Sequence, residues 1–355
     1  MASISSLSAP GSAGAGPLAD RAAGLVTRAG LWPLRLVWLA APLGIGVGLY
    51  DRLDHFPATG AVIAEVTLWA AWFAGLVACL VPSTQSLTVV RIGAPGALAL
   101  VLLAGLVGDG GFPAARLEAL GYGALLSLVA FLPTTGDRMI NGSAYGSERR
   151  MALRPPAFAL LGPVQVTWLL VFAGVVTGPV LLANEWWIAG VVACVAGAFA
   201  CRHGFRVLHQ LARRWIVFVP AGFVIHDRVL LVESILLRRA IVAALGPARE
   251  GDDATSGAAD VSGGARGLAL EVAARERVAF GRRVKGTVVN TEADRVVFTP
   301  SLPGAVLTEA RIRAIRIADP GIASVAPVDE PPHNHDHTGH DHDHADHADH
   351  DHADH

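Results

Sequence analysis

Apolar residues dominate the first two hundred positions in long runs separated by short polar loops. A helix that crosses a bilayer needs about 20 mostly apolar residues. Six stretches fit: Leu34 to Tyr50, Ala61 to Val81, Ile92 to Val107, Leu117 to Leu132, Phe158 to Leu182 and Trp186 to Cys201. They predict six transmembrane helices within residues 31–202. Pro95 falls in the first turn of the third, where proline is tolerated. Pro42 falls inside the first and should kink it, leaving a carbonyl for a neighbouring helix to satisfy. Gly44 and Gly48 form a GxxxG step, which lets helices approach closely.

After the sixth stretch the pattern changes. His203 to Arg214 reads as a short basic helix leaving the membrane. Trp215 to Val219 and Phe223 to His226 flank a Pro-Ala-Gly turn and predict a hairpin. Val229 to Val232 and Ile235 to Ala243 continue in β-rich composition. Leu268 to Ala274, Val278 to Phe280, Gly286 to Asn290 and Arg295 to Thr299 predict further short strands. Between them, residues 248–266 form a Gly, Ala, Ser and Asp run that reads as a mobile loop. Ser301-Leu302-Pro303 signals a helix start, with Ser301 as cap and Pro303 in the first turn, and the helix runs to about Ile317. The expected fold is an α-helical membrane bundle of six transmembrane helices plus a small α+β domain over residues 203–318. A disordered leader, residues 1–30, precedes it without the apolar core and cleavage site of a signal peptide. A disordered tail, residues 319–355, follows.

Arginine sets the expected orientation, since cytoplasmic loops carry the excess of basic residues. Arg21, Arg28 and Arg35 precede or open the first stretch. Arg138, Arg149, Arg150 and Arg154 follow the fourth, and Arg202, Arg206, Arg213 and Arg214 follow the sixth. The loop after the fifth holds Glu185 and no arginine. Both termini are therefore expected in the cytoplasm, with Trp186 and Trp187 at the outer interface. Composition agrees: 52% of residues are hydrophobic and 16% charged, against about a quarter charged in soluble domains. Cys79, Cys194 and Cys201 lie in apolar runs and read as packing residues.

Candidate chemistry is sparse. Glu65 is the one acidic residue inside a span singled out by the pattern, and it has no basic or histidine partner in another span; it reads as a side chain reaching toward interfacial water. The loop from Asp137 to Arg154 carries the turn signal Asn141-Gly142 and the string GSAYG, which lacks the G-x-S-x-G spacing of a nucleophile elbow. It reads as a basic loop at anionic headgroups, or as one that docks on the C-terminal domain. Arg238, Arg239, Arg282, Arg283 and Lys285, the only lysine, are scattered and read as solvated strand ends. The tail concentrates ten histidines: His333, His335, His337, His340, His342, His344, His347, His350, His352 and His355. Neutral imidazole binds zinc, nickel and copper, and the interleaved aspartates can complete a shell. The tail is thus the candidate metal site; no cofactor is required elsewhere.

The RRWIVFVPAGFVIHD opening and the FTPSLPGAVLTEARIR close of the C-terminal domain resemble a PH-like domain, a curved sheet roll closed by a helix. With the INGSAYGSERR loop, residues 35–318 resemble a group of uncharacterised bacterial multi-pass membrane proteins that carry such a domain in the cytoplasm. The resemblance implies the bacterial plasma membrane as location. It also implies recognition of a protein or a lipid headgroup as the domain's role, and it names no activity. The expected function is a non-enzymatic anchor or scaffold in the lipid bilayer, without a nucleic-acid partner. The alternative is a protein that handles or transports divalent zinc, nickel or copper; the spans lack paired carboxylates or histidines at ligand spacing.

Overall fold

The computed structural model describes residues 30–107, 111–248, 258–284 and 286–318. The leader before Gly30 and the tail from residue 319, with His333 to His355, lie outside the described residues.

The first apolar stretch is not one helix. It forms α1 (Trp32–Leu39), α2 (Ala41–Ile45), a 3-10 turn (Gly46–Gly48) and α3 (Tyr50–Leu53). Pro42 lies in the first turn of α2. It has no N–H for the carbonyl of Trp38 four residues back. That carbonyl accepts the indole N–H of Trp72 at 3.0 Å. Trp38 returns the bond, donating its own indole N–H to the Trp72 carbonyl at 3.0 Å. The expected kink and its repair by a neighbouring helix are both present.

Among the described residues, five helices are long and apolar enough to cross a membrane. Trp72 belongs to the first of them, α4 (Ala58–Leu80). The next, α5 (Thr84–Val107), starts eight residues before Ile92, because the Ser83 hydroxyl accepts the Ser86 N–H at 3.0 Å and opens the helix in polar sequence. Pro95 is consequently inside α5 and not in its first turn. In the turn it disturbs, the Ile92 carbonyl accepts the indole N–H of Trp168 at 3.2 Å. α6 (Ala114–Phe131) follows, then the short α7 (Pro133–Asn141). The loop beyond it enters strand β1 (Arg149–Ala152). The fifth apolar stretch breaks into α8 (Ala157–Leu160) and α9 (Pro163–Ala183) at Gly162, whose φ of 150° is open to glycine. α10 (Trp187–Ala212) runs straight through the basic segment after Cys201, so His203 to Arg214 is no separate helix.

The first stretch lies along α4 and α6. Near its start the Arg35 Nε–H donates to the Cys79 carbonyl, at the far end of α4, at 3.1 Å. Near its end the Arg116 Nε–H donates to the Gly48 carbonyl at 3.3 Å, and Arg116 pairs with Asp51 at 2.5 Å. A Cβ on Gly44 would overlap the Tyr122 ring, and one on Gly48 would lie 2.5 Å from the Ala119 Cβ. The GxxxG step therefore admits α6.

Among the described residues, the C-terminal part has two four-stranded sheets. One joins β1 to β2 (Arg214–Val219), β3 (Gly222–Asp227) and β4 (Ile235–Arg238) in that order. The other is ordered β5 (Val242–Pro247), β7 (Leu270–Val284), β8 (Thr287–Phe298) and β6 (Ala258–Asp260). Pairs expected as separate short strands merge: Leu268–Ala274 with Val278–Phe280 into β7, interrupted by a bulge, and Gly286–Asn290 with Arg295–Thr299 into β8. Val229 to Val232 forms a turn with one bridge from Leu231. The expected loop of residues 248–266 is partly ordered: β6 pairs in parallel with β8, and Val261 behind it is fully buried. Residues 249–257 lie outside the described residues. One core, including Ile216, Phe218, Phe223, Val272, Phe298 and Val306, lies between the sheets. It is closed by α11 (Pro303–Ile312). The α11 N-cap is Leu302 without a side-chain bond, so Ser301 is not the cap. Past Ile312 the chain extends along β5, where the Leu245 N–H donates to the Arg316 carbonyl at 2.8 Å.

Candidate functional site

The residues most closely tied together lie where the bundle meets the sheets. Strand β1 comes from the loop of the membrane half, yet it pairs antiparallel with β2 from Arg149 opposite Phe218 to Ala152 opposite Trp215. Its alternate side chains divide between two interiors. Met151 and the following Leu153 enter the sheet core, while Ala152 packs with Ile140 and Trp215 in the bundle core. The segment also bonds across to the residues before α11. The Arg154 N–H donates to Thr299 O at 2.9 Å and the Ser301 N–H to Ala152 O at 2.8 Å. The loop reading that docks on the C-terminal domain is the one realised, as an added strand.

The polar residues of the loop hold that strand in register. Asp137, buried in α7, accepts from Arg149 Nη2 at 2.9 Å and from the Ala152 N–H at 3.4 Å. Burial pushes its carboxyl above the usual range, and Arg149 opposes that shift. Asn141 Oδ1 accepts the Arg150 N–H at 3.0 Å. The Ser143 hydroxyl donates to the Ile140 carbonyl at 3.1 Å and accepts from Arg150 Nη1 at 3.2 Å. Ser143 is thus occupied in shaping a turn. Arg313, just after α11, donates to the Ser147 carbonyl at 2.6 Å.

Behind β1 lies a buried ion pair that the sequence pattern does not single out. Arg214 and Asp227 are both essentially inaccessible and meet at 2.7 Å. Arg214 also donates to the carbonyls of Arg154 at 2.5 Å and Val261 at 3.5 Å. Asp227 Oδ1 accepts the N–H groups of Val229 at 2.9 Å and Leu230 at 3.1 Å. The pair therefore joins β2, β3, the loop segment and the end of β6. A desolvated charge is tolerated when paired and fully hydrogen-bonded. An Arg and an Asp at matched ends of one predicted hairpin, Arg214 opposite Asp227, is the signal that could have found them.

On the other face of the same sheet, Trp215 stacks on His226 with ring centroids 4.6 Å apart. The Arg150 guanidinium stands 5.8 Å from the Trp215 ring. His226 Nδ1 meets the Ser234 hydroxyl at 2.7 Å. Burial first, then Arg213 and Arg228, push the imidazole below its usual value. This is a cationic and aromatic patch at the end of α10, suited to holding sheet and bundle together.

The remaining sequence candidates are dispersed. Arg282 donates to the Asp260 carbonyl at 2.9 Å and Arg283 to the Arg228 carbonyl at 2.7 Å; Lys285 lies outside the described residues. Cys79 is buried in the bundle core, and Cys194 and Cys201 are partly covered. Among the described residues no three His, Cys, Asp or Glu side chains gather to hold a metal. The proposed ligands His333 to His355 lie outside them. Compared with protein-family models, curated proteins and solved structures, the chain matches none.

Proposed function

We propose that this protein is a non-enzymatic membrane anchor or scaffold that presents a PH-like binding domain rigidly at the inner face of a bacterial plasma membrane. The observation that carries the reading is β1: a strand of the membrane half is built into the domain's first sheet, so the domain cannot swing freely on α10. Two sheets around one core with a C-terminal helix support the PH-like reading, although the strand borrowed from the loop and the parallel β6 depart from a plain roll. Contacts of the first stretch with both ends of the neighbouring helices support its role as a sixth, broken crossing. With six crossings, both termini share one side with the sheet domain and the arginine-rich loops, as the basic-inside tendency requires.

Two measurements test this. Impermeant thiol reagents applied to intact cells should modify cysteines placed at Asp54 or Asn184 and spare those at Gly142; labelling at Gly142 overturns the orientation. A version ending after Pro332 should complement a deletion strain at every metal level if the protein is a scaffold. Failure under metal excess or starvation would favour the metal-handling alternative, which the ten tail histidines motivate.

A further inference from the structure

A cavity of about 970 Å³ opens into the bundle, lined by the broken first stretch, α4, α5, α6, α9 and α10. Its origin is the Pro42 break. Above the break, the paired indole bonds of Trp38 and Trp72 clasp the chain to α4. Beyond it, Gly44 and Gly48 draw the chain onto α6, and the space between the first stretch and α4 stays unfilled. The closed end is formed by buried Trp38, Leu126 and Val171. Tyr50, Glu65 and Trp69, all exposed, line the other end. That end faces away from the sheet domain, because Gly60, one turn before Glu65, lies against Ala183 at the far end of α9.

The walls decide what fits. They are apolar except for Glu65, the only charged side chain among the lining residues. Such a lining gives water few hydrogen-bond partners and favours an apolar occupant. The volume is at the upper end of the range for small-molecule sites, roughly 300–1,000 Å³. The walls belong largely to helices apolar enough to lie in hydrocarbon, so the molecules that reach the opening sideways are those of the bilayer. Glu65 makes no hydrogen bond or ion pair with any described residue, and an acidic side chain without a partner on a helix apolar enough to cross a membrane, even exposed at the opening as here, carries a cost and is characteristically functional. A ligand that brings a cationic donor to it removes that cost, whereas an anionic head is repelled.

We propose that this cavity binds the hydrocarbon tail of an amine-headed lipid, with its ammonium group donating to the Glu65 carboxylate. The tail lies between Trp38 and Val171, and the head remains at the Tyr50–Trp69 opening. Residues remote from the sheet domain thus form a second binding site, separate from the loop–sheet junction.

The test uses the full chain in lipid vesicles and two photoactivatable probes of the same tail length, a long-chain amine and a long-chain carboxylic acid. Crosslinks from the amine should map to cavity-lining peptides of α4, α5 and α9 above the level on the lipid-facing Val191–Val195 surface. The amine should label roughly tenfold more than the acid, the factor a hydrogen bond to a charged group supplies. Glu65→Gln should bring the two probes to within about twofold while tail labelling of the cavity persists. Gly96→Leu should abolish cavity labelling by both probes, because a Cβ there meets only Phe172, at 3.8 Å, and its side chain would fill the space. Labelling no higher in the cavity than on the lipid-facing surface would overturn the proposal. So would an amine preference that survives Glu65→Gln, a readout that does not depend on how well the leucine variant folds.

Discussion

In the bundle, carbonyls near Pro42 and Pro95 are met by single hydrogen bonds from a neighbour, as Trp72 meets Trp38 and Trp168 meets Ile92. In the sheet domain, the charges of Arg214 and Asp227 are enclosed by a set of bonds drawn from four separate segments. The bundle can afford local repairs because each helix satisfies its own backbone. The sheet domain needs closure, since beyond the local hairpins of β2 with β3 and β7 with β8 its first sheet is completed by β1, more than sixty positions away in sequence. The loop from Asp137 to Arg154 belongs to the bundle by sequence and to the sheet domain by energetics, and that mismatch is what couples the two.

The largest expected effect comes from opening the enclosed set. Asp227→Ala leaves Arg214 buried without its counter-charge, which costs about 3–5 kcal/mol. Protease resistance of the sheet domain should fall sharply while the bundle stays intact in detergent. Loss of both together would mean that the two regions form one cooperative unit.

Next in size is Met151→Ala. Met151 is 3% exposed and sits in the sheet core although the chain reaches it directly from α7. Removing its side chain should cost about 2–5 kcal/mol, read as a lower midpoint for unfolding of residues 214–312. An unchanged midpoint would assign the loop to the bundle alone.

In the bundle, Trp72→Phe deletes one indole donor and keeps most of the ring. Hydrogen bonds between membrane helices average about 0.6 kcal/mol, so the expected loss of stability in detergent is several-fold smaller than for Asp227→Ala. A loss as large would remove the contrast between the two regions.

These residues also show what the sequence made legible. The apolar runs locate α4 and α6 closely, because hydropathy directly reports a helix surrounded by lipid. The hairpin of β2 and β3 is readable from alternation around Pro220-Ala221-Gly222. By contrast, β1 is four residues, RRMA, with no alternation of its own; what makes it a strand is β2, more than sixty positions later. The start of α5 and the end of α10 lie beyond the predicted bounds because polar residues such as Thr84, Arg91, His203 and Arg206 continue the helices past their apolar stretches. The cavity follows from where Pro42 and the two glycines send the chain, which requires the position of α6.

The smallest expected effect is that of pH. His226 is depressed by burial and by Arg213 and Arg228 from an ordinary value of 6.5. Its contribution to stability is fully present above that value and is lost as pH falls through the lowered one. Asp137 is raised from 3.8 by burial, so its contribution has the opposite sign: it is present below that value and lost as pH rises through the raised one. Acidifying from about pH 7.5 into the range just below 6.5 should therefore lower the melting temperature slightly, and His226→Gln should flatten that slope. A slope unchanged by the substitution would place its source elsewhere.

Amide hydrogen exchange of the full-length protein, followed peptide by peptide, tests most directly whether the loop completes the sheet. Residues 149–154 should exchange as slowly as β2, Arg214–Val219, with which they pair, and Asp227→Ala should accelerate both together. Exchange of residues 149–154 at the rate of an open surface loop, while Arg214–Val219 remains protected, would contradict the added strand and the rigid coupling that depends on it.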